Sequence, residues 1–373
     1  MTWIHKKSIT IDKTKCGTAD SPNFPMLFSG TYTYLKTEAN SGFVKNASGY
    51  DIAFFSDSGL TTMLDFERVS WVDSTGAVEF HIRIPTLTYA TNTVIYIAYG
   101  NSSITTDQQN KNGTWDTYFK TVLHMQEASG TLNDSTSAGH NFTTVGSPVY
   151  AANTQIGKGI NWDDNVKYAY IADTADYHFG AGDFTFSLWF YTTTIAANRI
   201  LFDYRDGSAV GGAFFTTPTV LKSYINTAYR AIGGTQIDIN GWHHMVYRRL
   251  GNVMNFFLDG AKDGNDYDCT GLTLTDTSNN IYLNYNFYNE SGVIGYDDEF
   301  RVSKGIGRST SWITAEHNNQ SSPSTFYTIA DITSPSPSLS ASLSPSSSIS
   351  PSLSPSLSPS KSPSVSISAS PSL

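Results

Sequence analysis

Carboxylates and tyrosines are the residues of this chain best suited to chemistry. Asp297-Asp298-Glu299 sets three acids in a row. Glycoside hydrolysis needs two carboxyl groups facing each other across a bond, ~5–5.5 Å apart for retention and farther for inversion. In a regular strand neighbouring side chains point to opposite faces, so Asp297 and Glu299 would share one side and Asp298 the other. A Gly-x-Ser-x-Gly elbow, a phosphate-binding loop and a His-Glu-x-x-His run are all missing. No residue is therefore assigned a catalytic role. The aromatic groups offer binding instead. Ile281 to Tyr288 alternates, placing Tyr282, Asn284, Asn286 and Tyr288 on the outward face and Tyr285 with Ile281 and Leu283 inside. Tyr204 and Arg205, within Phe202-Asp203-Tyr204-Arg205-Asp206, have the same character. A ring platform beside amide, carboxylate or guanidinium groups is the chemistry that holds a sugar. The plainer reading, that these rings only cover a sheet, stays open. His243-His244 sends one imidazole to each face, which suits packing better than metal binding.

These residues sit in a chain of 373 with 15% charged and 13% aromatic residues, a composition that can bury a core. Net charge is −9 and no Lys/Arg block occurs, so nucleic acid is not an expected partner. No long apolar run could span a membrane. Cys16 and Cys269 are too few for a disulfide scaffold. The first residues lack the apolar stretch of a secretory signal, so an extracellular or virion-associated place requires removal of a leader or release inside a virus particle.

The elements are mostly strands. Val78 to Ile84 alternates, with Glu79, His81 and Arg83 on its polar face, and Thr93–Tyr99 and Phe184–Phe190 obey the same rule. Turn signals such as Ser74-Thr75-Gly76 and Asp259-Gly260 divide the runs, and only 310–319 reads as a short helix. The pattern predicts an all-β protein of sandwich or jelly-roll type, and the length fits two domains. From 334 onward every even position is serine, interleaved with eight prolines. Proline removes ladder donors, so 333–373 is expected to be an extended, disordered spacer.

Two segments carry more than pattern. Asn23-Phe24-Pro25-Met26-Leu27, Gly49-Tyr50-Asp51-Ile52-Ala53-Phe54, Ile82-Arg83-Ile84-Pro85 and Ile95-Tyr96-Ile97-Ala98-Tyr99-Gly100-Asn101 occur in that order. With them, residues 3–115 resemble a bacterial and phage domain of unknown function that precedes laminin G-like domains in surface proteins. His124-Met125-Gln126-Glu127, Phe184-Thr185-Phe186-Ser187-Leu188-Trp189, Gly241-Trp242-His243-His244, Phe257-Leu258-Asp259-Gly260 and Asp298-Glu299-Phe300-Arg301-Val302 come after it. Through these, residues 118–332 resemble a laminin G-like, concanavalin A-like lectin/glucanase domain.

The two resemblances imply a β-sandwich over 1–116 and a jelly roll over 117–332, the latter with Trp242 in its core. Hydrolases of this fold hold their acids in a Glu-x-Asp-x-x-Glu run, and none of Glu38, Glu67, Glu79, Glu127, Glu290, Glu299 and Glu316 has that spacing. Such domains often hold one structural Ca²⁺, which takes 6–8 oxygen ligands. If the first and last strands of the roll lie side by side, Asp134 comes near Asp298 and Glu299, while Asp163 and Asp164 form a second acidic turn. Asp134 and Asp163 read equally well as turn formers. The expected function is lectin-like binding of a glycan or cell-surface polysaccharide, alongside other subunits of a surface or virion assembly. A purely structural stalk protein and, less favoured, a glycan-degrading enzyme or its accessory part are the alternatives, because one fold hosts all three.

Overall fold

The computed structural model describes residues 3–194, 199–203, 212–216, 220–225, 228–274, 279–286 and 292–332. Its strands form four antiparallel sheets. Sheet 1 runs Tyr327–Asp331, His5–Ile11, Thr93–Tyr99, Ile52–Phe55, and sheet 2 runs Ser21–Thr31, Ala77–Leu87, Phe66–Val72. Between them lies one core that includes Phe24, Phe28, Phe54, Phe66 and Phe80. Sheet 3 has the order Ala261–Asp268, Val253–Leu258, Trp242–Leu250, Phe184–Thr192, Gly295–Lys304, Lys158–Trp162, Val149–Asn153, and Phe119–Leu123 also pairs with Gly295–Lys304. Sheet 4 has the order Ala228–Ile232, Leu221–Ile225, Gly212–Thr216, Arg199–Asp203, Ile281–Leu283, Tyr168–Ile171, Thr143–Val145. A second core, with Trp162, Phe186, Leu188 and Phe300, fills the space between sheets 3 and 4. The protein is thus all-β, as the alternation predicts, with a concanavalin A-like jelly roll as its second sandwich.

The division at residue 116 meets one complication. Tyr327–Asp331 pairs with His5–Ile11, from Lys7↔Asp331 to Ile11↔Tyr327, so the chain returns to the first sandwich to close its edge. The helix Thr310–Ser321 comes back with it. Ser309 caps this helix, its hydroxyl accepting from the Trp312 amide at 3.1 Å. Trp312, Ile313 and Ala315 then join the first core, while Gln320 Oε1 accepts from Trp189 Nε1 at 2.6 Å on sheet 3.

The polar face of Ala77–Leu87 departs from the half-exposed strand that its sequence predicts. Glu79 and His81 are 2% and 0% exposed. Sheet 3 covers that face: Leu27 packs with Ile156 and Trp189, and the His81 and His124 rings stack with centroids 4.9 Å apart. A second departure is a bulge. Arg301 pairs with Ser187 but Asp298 with Trp189, so one strand carries an extra residue. That residue is Glu299, at φ +54°. Alternation therefore fails: Asp297 faces the second core and accepts from Trp162 Nε1 at 2.7 Å, whereas Asp298 and Glu299 both face sheet 2.

Arg301 closes this polar layer. It lies 2.5 Å from Glu299 and 2.9 Å from Glu316 of the helix, almost without solvent contact. One guanidinium serves two carboxylates here. Burial pushes Glu316 up to about 7, although Arg301 pulls the other way. Its second oxygen has no hydrogen-bond partner.

This packing sets two expected outcomes. Trp162 is wholly buried, but Trp242 is only half-buried, against Tyr191 and Tyr296, rather than in the core as expected. Trp162→Ala should lower unfolding free energy by ~3–5 kcal/mol and Trp242→Ala by ~1–2 kcal/mol; equal losses in urea titrations would refute the ranking. Because the folded pKa of Glu316 lies above its ordinary value, the unfolded chain ionises first as pH rises. The stabilisation is full below the ordinary carboxyl range and is lost as pH rises through about 7. Glu316→Gln, which keeps an acceptor for Arg301, should remove on the order of 3 kcal/mol of that decline. Stability of both proteins at pH 4 and pH 8 checks this, and parallel curves would contradict it.

Candidate functional site

The outer face of sheet 4 carries a group of tyrosines. Ala169, Ile281 and Leu283 point into the second core, so alternation turns Tyr168, Tyr170 and Tyr282 outward, with Tyr170 directly opposite Tyr282. The strand ends at Leu283, and Asn284 takes φ +64°. This left-handed residue reverses the facing expected for the next side chains. Tyr285, assigned to the core by alternation, lies on the outward side and stacks on Tyr168 with centroids 4.3 Å apart and planes 9° from parallel. Tyr282 touches Tyr168, Tyr170 and Tyr285 at 5.8–6.4 Å. All four rings are half-buried. Burial, chiefly, raises the Tyr282 phenol above its ordinary pKa, so that hydroxyl is neutral.

Of the other residues expected there, Asn284 is buried and structural. Its amide nitrogen donates to the Lys167 and Val293 carbonyls at 3.0 and 3.1 Å, and its oxygen accepts from the Val293 amide at 2.6 Å. Asn286 is also buried. Tyr288, Tyr204 and Arg205 lie outside the described residues.

The four carboxylates proposed for calcium do not come together. Asp134 is saturated, accepting from the Val122, Thr136 and His140 amides and the Thr136 hydroxyl at 2.7–2.9 Å. It orders a turn instead. Asp163 pairs with Lys167 at 2.6 Å near the tyrosine face, and this hydrogen bond lowers its pKa. Asp298 accepts from the Ile156 amide at 2.7 Å. Burial and the neighbouring Glu299 hold its carboxyl well above the usual range. An oxygen-only cage for Ca²⁺ does not fit this arrangement.

Glu299 belongs to a different group, with Glu79, His81 and His124. One potential ligand atom from each lies within 4.8 Å of all the others, and the side chains are buried. His124 Nδ1 is 2.5 Å from Glu299 Oε1, and its Nε2 is 3.3 Å from Glu67 Oε2. Burial would lower the His124 pKa, but Glu299 and Glu67 outweigh it and hold it well above the ordinary value. Burial likewise opposes ionisation of Glu67, yet His124, Trp115 and Ser135 bring it down to about 2. Burial and then Glu299 push Glu79 up to about 7, against Gln126, which donates at 2.6 Å, and His124. Gly157, at φ +56°, turns tightly over this carboxylate: a Cβ there would sit 2.4 Å from Glu79 Oε2. Burial drops His81 to about 4. Sequence reasoning missed Glu67, Glu79, His81 and His124 as site residues, because the partners that complete the group lie 43 to 220 positions away in the chain. The one local signal was Glu79-Phe80-His81, two ligand-type side chains on one face of a strand.

A cleft of about 250 Å³ opens beside this group, lined by Glu67, Lys111, His124, Gln126, Glu127 and Ser135, among others. It leads from the surface to the His124 ring.

No curated protein matches the sequence. Among solved structures, domain 4 of the extracellular arabinanase AbnA from Geobacillus stearothermophilus, in complex with arabinotriose, is 17% identical with a TM-score of 0.43, covering 52% of this chain and 96% of that one. The binding domain of Paraclostridial Mosquitocidal Protein 1 is 14% identical, with a TM-score of 0.42 and coverage of 54% and 52%. The botulinum neurotoxin serotype D ligand-binding domain, in complex with N-acetylneuraminic acid, is 12% identical, with a TM-score of 0.40 and coverage of 54% and 51%. The chain therefore spans about half the length of the toxin domains it matches. Residues 163–326 match the family model of the concanavalin A-like lectin/glucanases superfamily.

Proposed function

We propose that this chain is a non-catalytic carbohydrate-binding protein whose glycan docks on the outer face of sheet 4. The observation that carries the reading is the contact group of Tyr168, Tyr170, Tyr282 and Tyr285, half-exposed on the sheet turned away from the first sandwich. The apolar C–H face of a pyranose stacks on such rings, and phenol hydroxyls exchange hydrogen bonds with its rim. The Asp163–Lys167 pair adds an acceptor and a donor beside them. Binding is favoured over hydrolysis because the carboxylates that do converge, Glu67, Glu79, Asp298, Glu299 and Glu316, are buried between sheets where a polysaccharide has no room.

In this reading the first sandwich is the surface-protein domain of unknown function and serves as a rigid base. The protein belongs to an extracellular or virion assembly with other subunits. The family description of residues 163–326, which spans lectins and glucanases, supports the ligand class and leaves the sugar open.

A glycan array probed with the full chain tests the proposal. The Tyr168→Ala, Tyr282→Ala double variant should lose binding at least ~10-fold, the scale of an aromatic anchor at a binding surface, while melting within a few degrees of the parent. Undiminished binding by the double variant, or no bound glycan from folded parent protein, would overturn it.

A further inference from the structure

We infer that Glu79, His81, His124 and Glu299 form a binding site for a divalent transition metal ion of the zinc type, set between the two sandwiches. The donor set is two imidazoles and two carboxylates, which suits zinc and disfavours calcium and magnesium. Four converging atoms complete a tetrahedral shell, and a closed shell of protein ligands marks a structural site rather than a catalytic one.

The second observation is His81. It is fully buried, and neither of its ring nitrogens has a hydrogen-bond partner. Buried polar nitrogens are nearly always partnered, because an unmade hydrogen bond costs ~1–3 kcal/mol. His81 Nε2 points toward Glu299 Oε1 from 3.8 Å, too far for a hydrogen bond and within reach of a shared ion.

The surroundings are those of a supported ligand set. Glu67 engages His124 through Nε2, leaving Nδ1 for the ion. Arg301 holds Glu299 through Oε2, leaving Oε1. Gln126 steadies Glu79 through Oε1. Each of these three therefore has a partner outside the group, and each places one ligand atom within 4.8 Å of the others. Charge points the same way. Glu67, Glu79, Asp298, Glu299 and Glu316 crowd one buried layer, where five carboxyl groups face Arg301, which pairs with Glu299 and Glu316, His124, which pairs with Glu299 and Glu67, and Lys111, 3.7 Å from Glu67. A divalent cation would offset the acidic excess. It would replace the proton now shared by His124 Nδ1 and Glu299 Oε1, and the cleft at His124 gives it a way in.

The experiment uses the full chain, stripped with a chelator and then offered zinc chloride or calcium chloride. The expected result is uptake of one zinc ion per chain by elemental analysis, a higher Tm with zinc that chelation reverses, and no retained calcium. Substituting Co²⁺ should give the visible absorption of a four-coordinate site. His81→Asn and Glu79→Gln should each weaken zinc affinity more than ~10-fold and lose both the Tm response and the cobalt spectrum. Glu79→Gln removes a ligand charge with almost no change in shape, so it carries the test should His81→Asn fail to fold. Absence of zinc uptake by folded parent protein, unchanged uptake in the folded variants, or retention of calcium in place of zinc would overturn the inference.

Discussion

A guanidinium out of reach of water must be neutralised where it stands, and the layer between the two sandwiches is arranged around that requirement. Removing either partner of such a pair leaves an uncompensated charge, which costs far more than the pair contributes. Arg301 belongs to a strand of sheet 3, Glu316 to the helix that returns to the first sandwich, and Trp115, whose ring lies 5.0 Å from the guanidinium, to the segment joining the two bodies. One side chain thereby ties together three parts of the chain. Glu299 then ties the guanidinium to His124, and His124 to Glu67 on sheet 2. The sandwiches meet through a connected polar network as well as through apolar contact at Leu27, Ile156 and Trp189.

The second sandwich consequently has two unlike faces. Its inner sheet is used up in this union, with acids and imidazoles facing the neighbour. Its outer sheet keeps tyrosines toward solvent. A stacked ring pair on an open sheet surface is stabilised only modestly by its own contact, ~0.5–1.5 kcal/mol, and gains more when a flat apolar partner covers it.

Much of the architecture was legible in the sequence for a simple reason: strands obey period 2, and Phe80, Ile82, Phe186, Leu188 and Ile281 all fall where alternation puts them. The helix was legible too, as the run 310–319, and the structure adds the Ser309 cap. What escaped was whatever broke the period or depended on a second body. Glu299 is an inserted residue, so the parity of Asp297-Asp298-Glu299 predicted the wrong face for it. Asn284 reverses direction after a strand of three residues, which exchanged the expected roles of Asn284 and Tyr285. The polar edge of Val78–Ile84 looked like a solvent face because only a partner sheet distinguishes buried acids from exposed ones. Tyr282 was visible as an outward ring, but Tyr168 and Tyr170 become its neighbours only through the register of Tyr168–Ile171 with Ile281–Leu283.

The return of the chain to its starting sheet also has a meaning for how the protein is made. Strand His5–Ile11 has Thr93–Tyr99 on one side and Tyr327–Asp331 on the other. A ribosome delivers the second partner only after the whole jelly roll has been synthesised. Until then the first strand is an open edge with unpaired amides and carbonyls, a template for pairing with another nascent chain. The sandwich that begins first is the one that closes last, and the order of translation makes completion of the jelly roll a precondition for sealing the body.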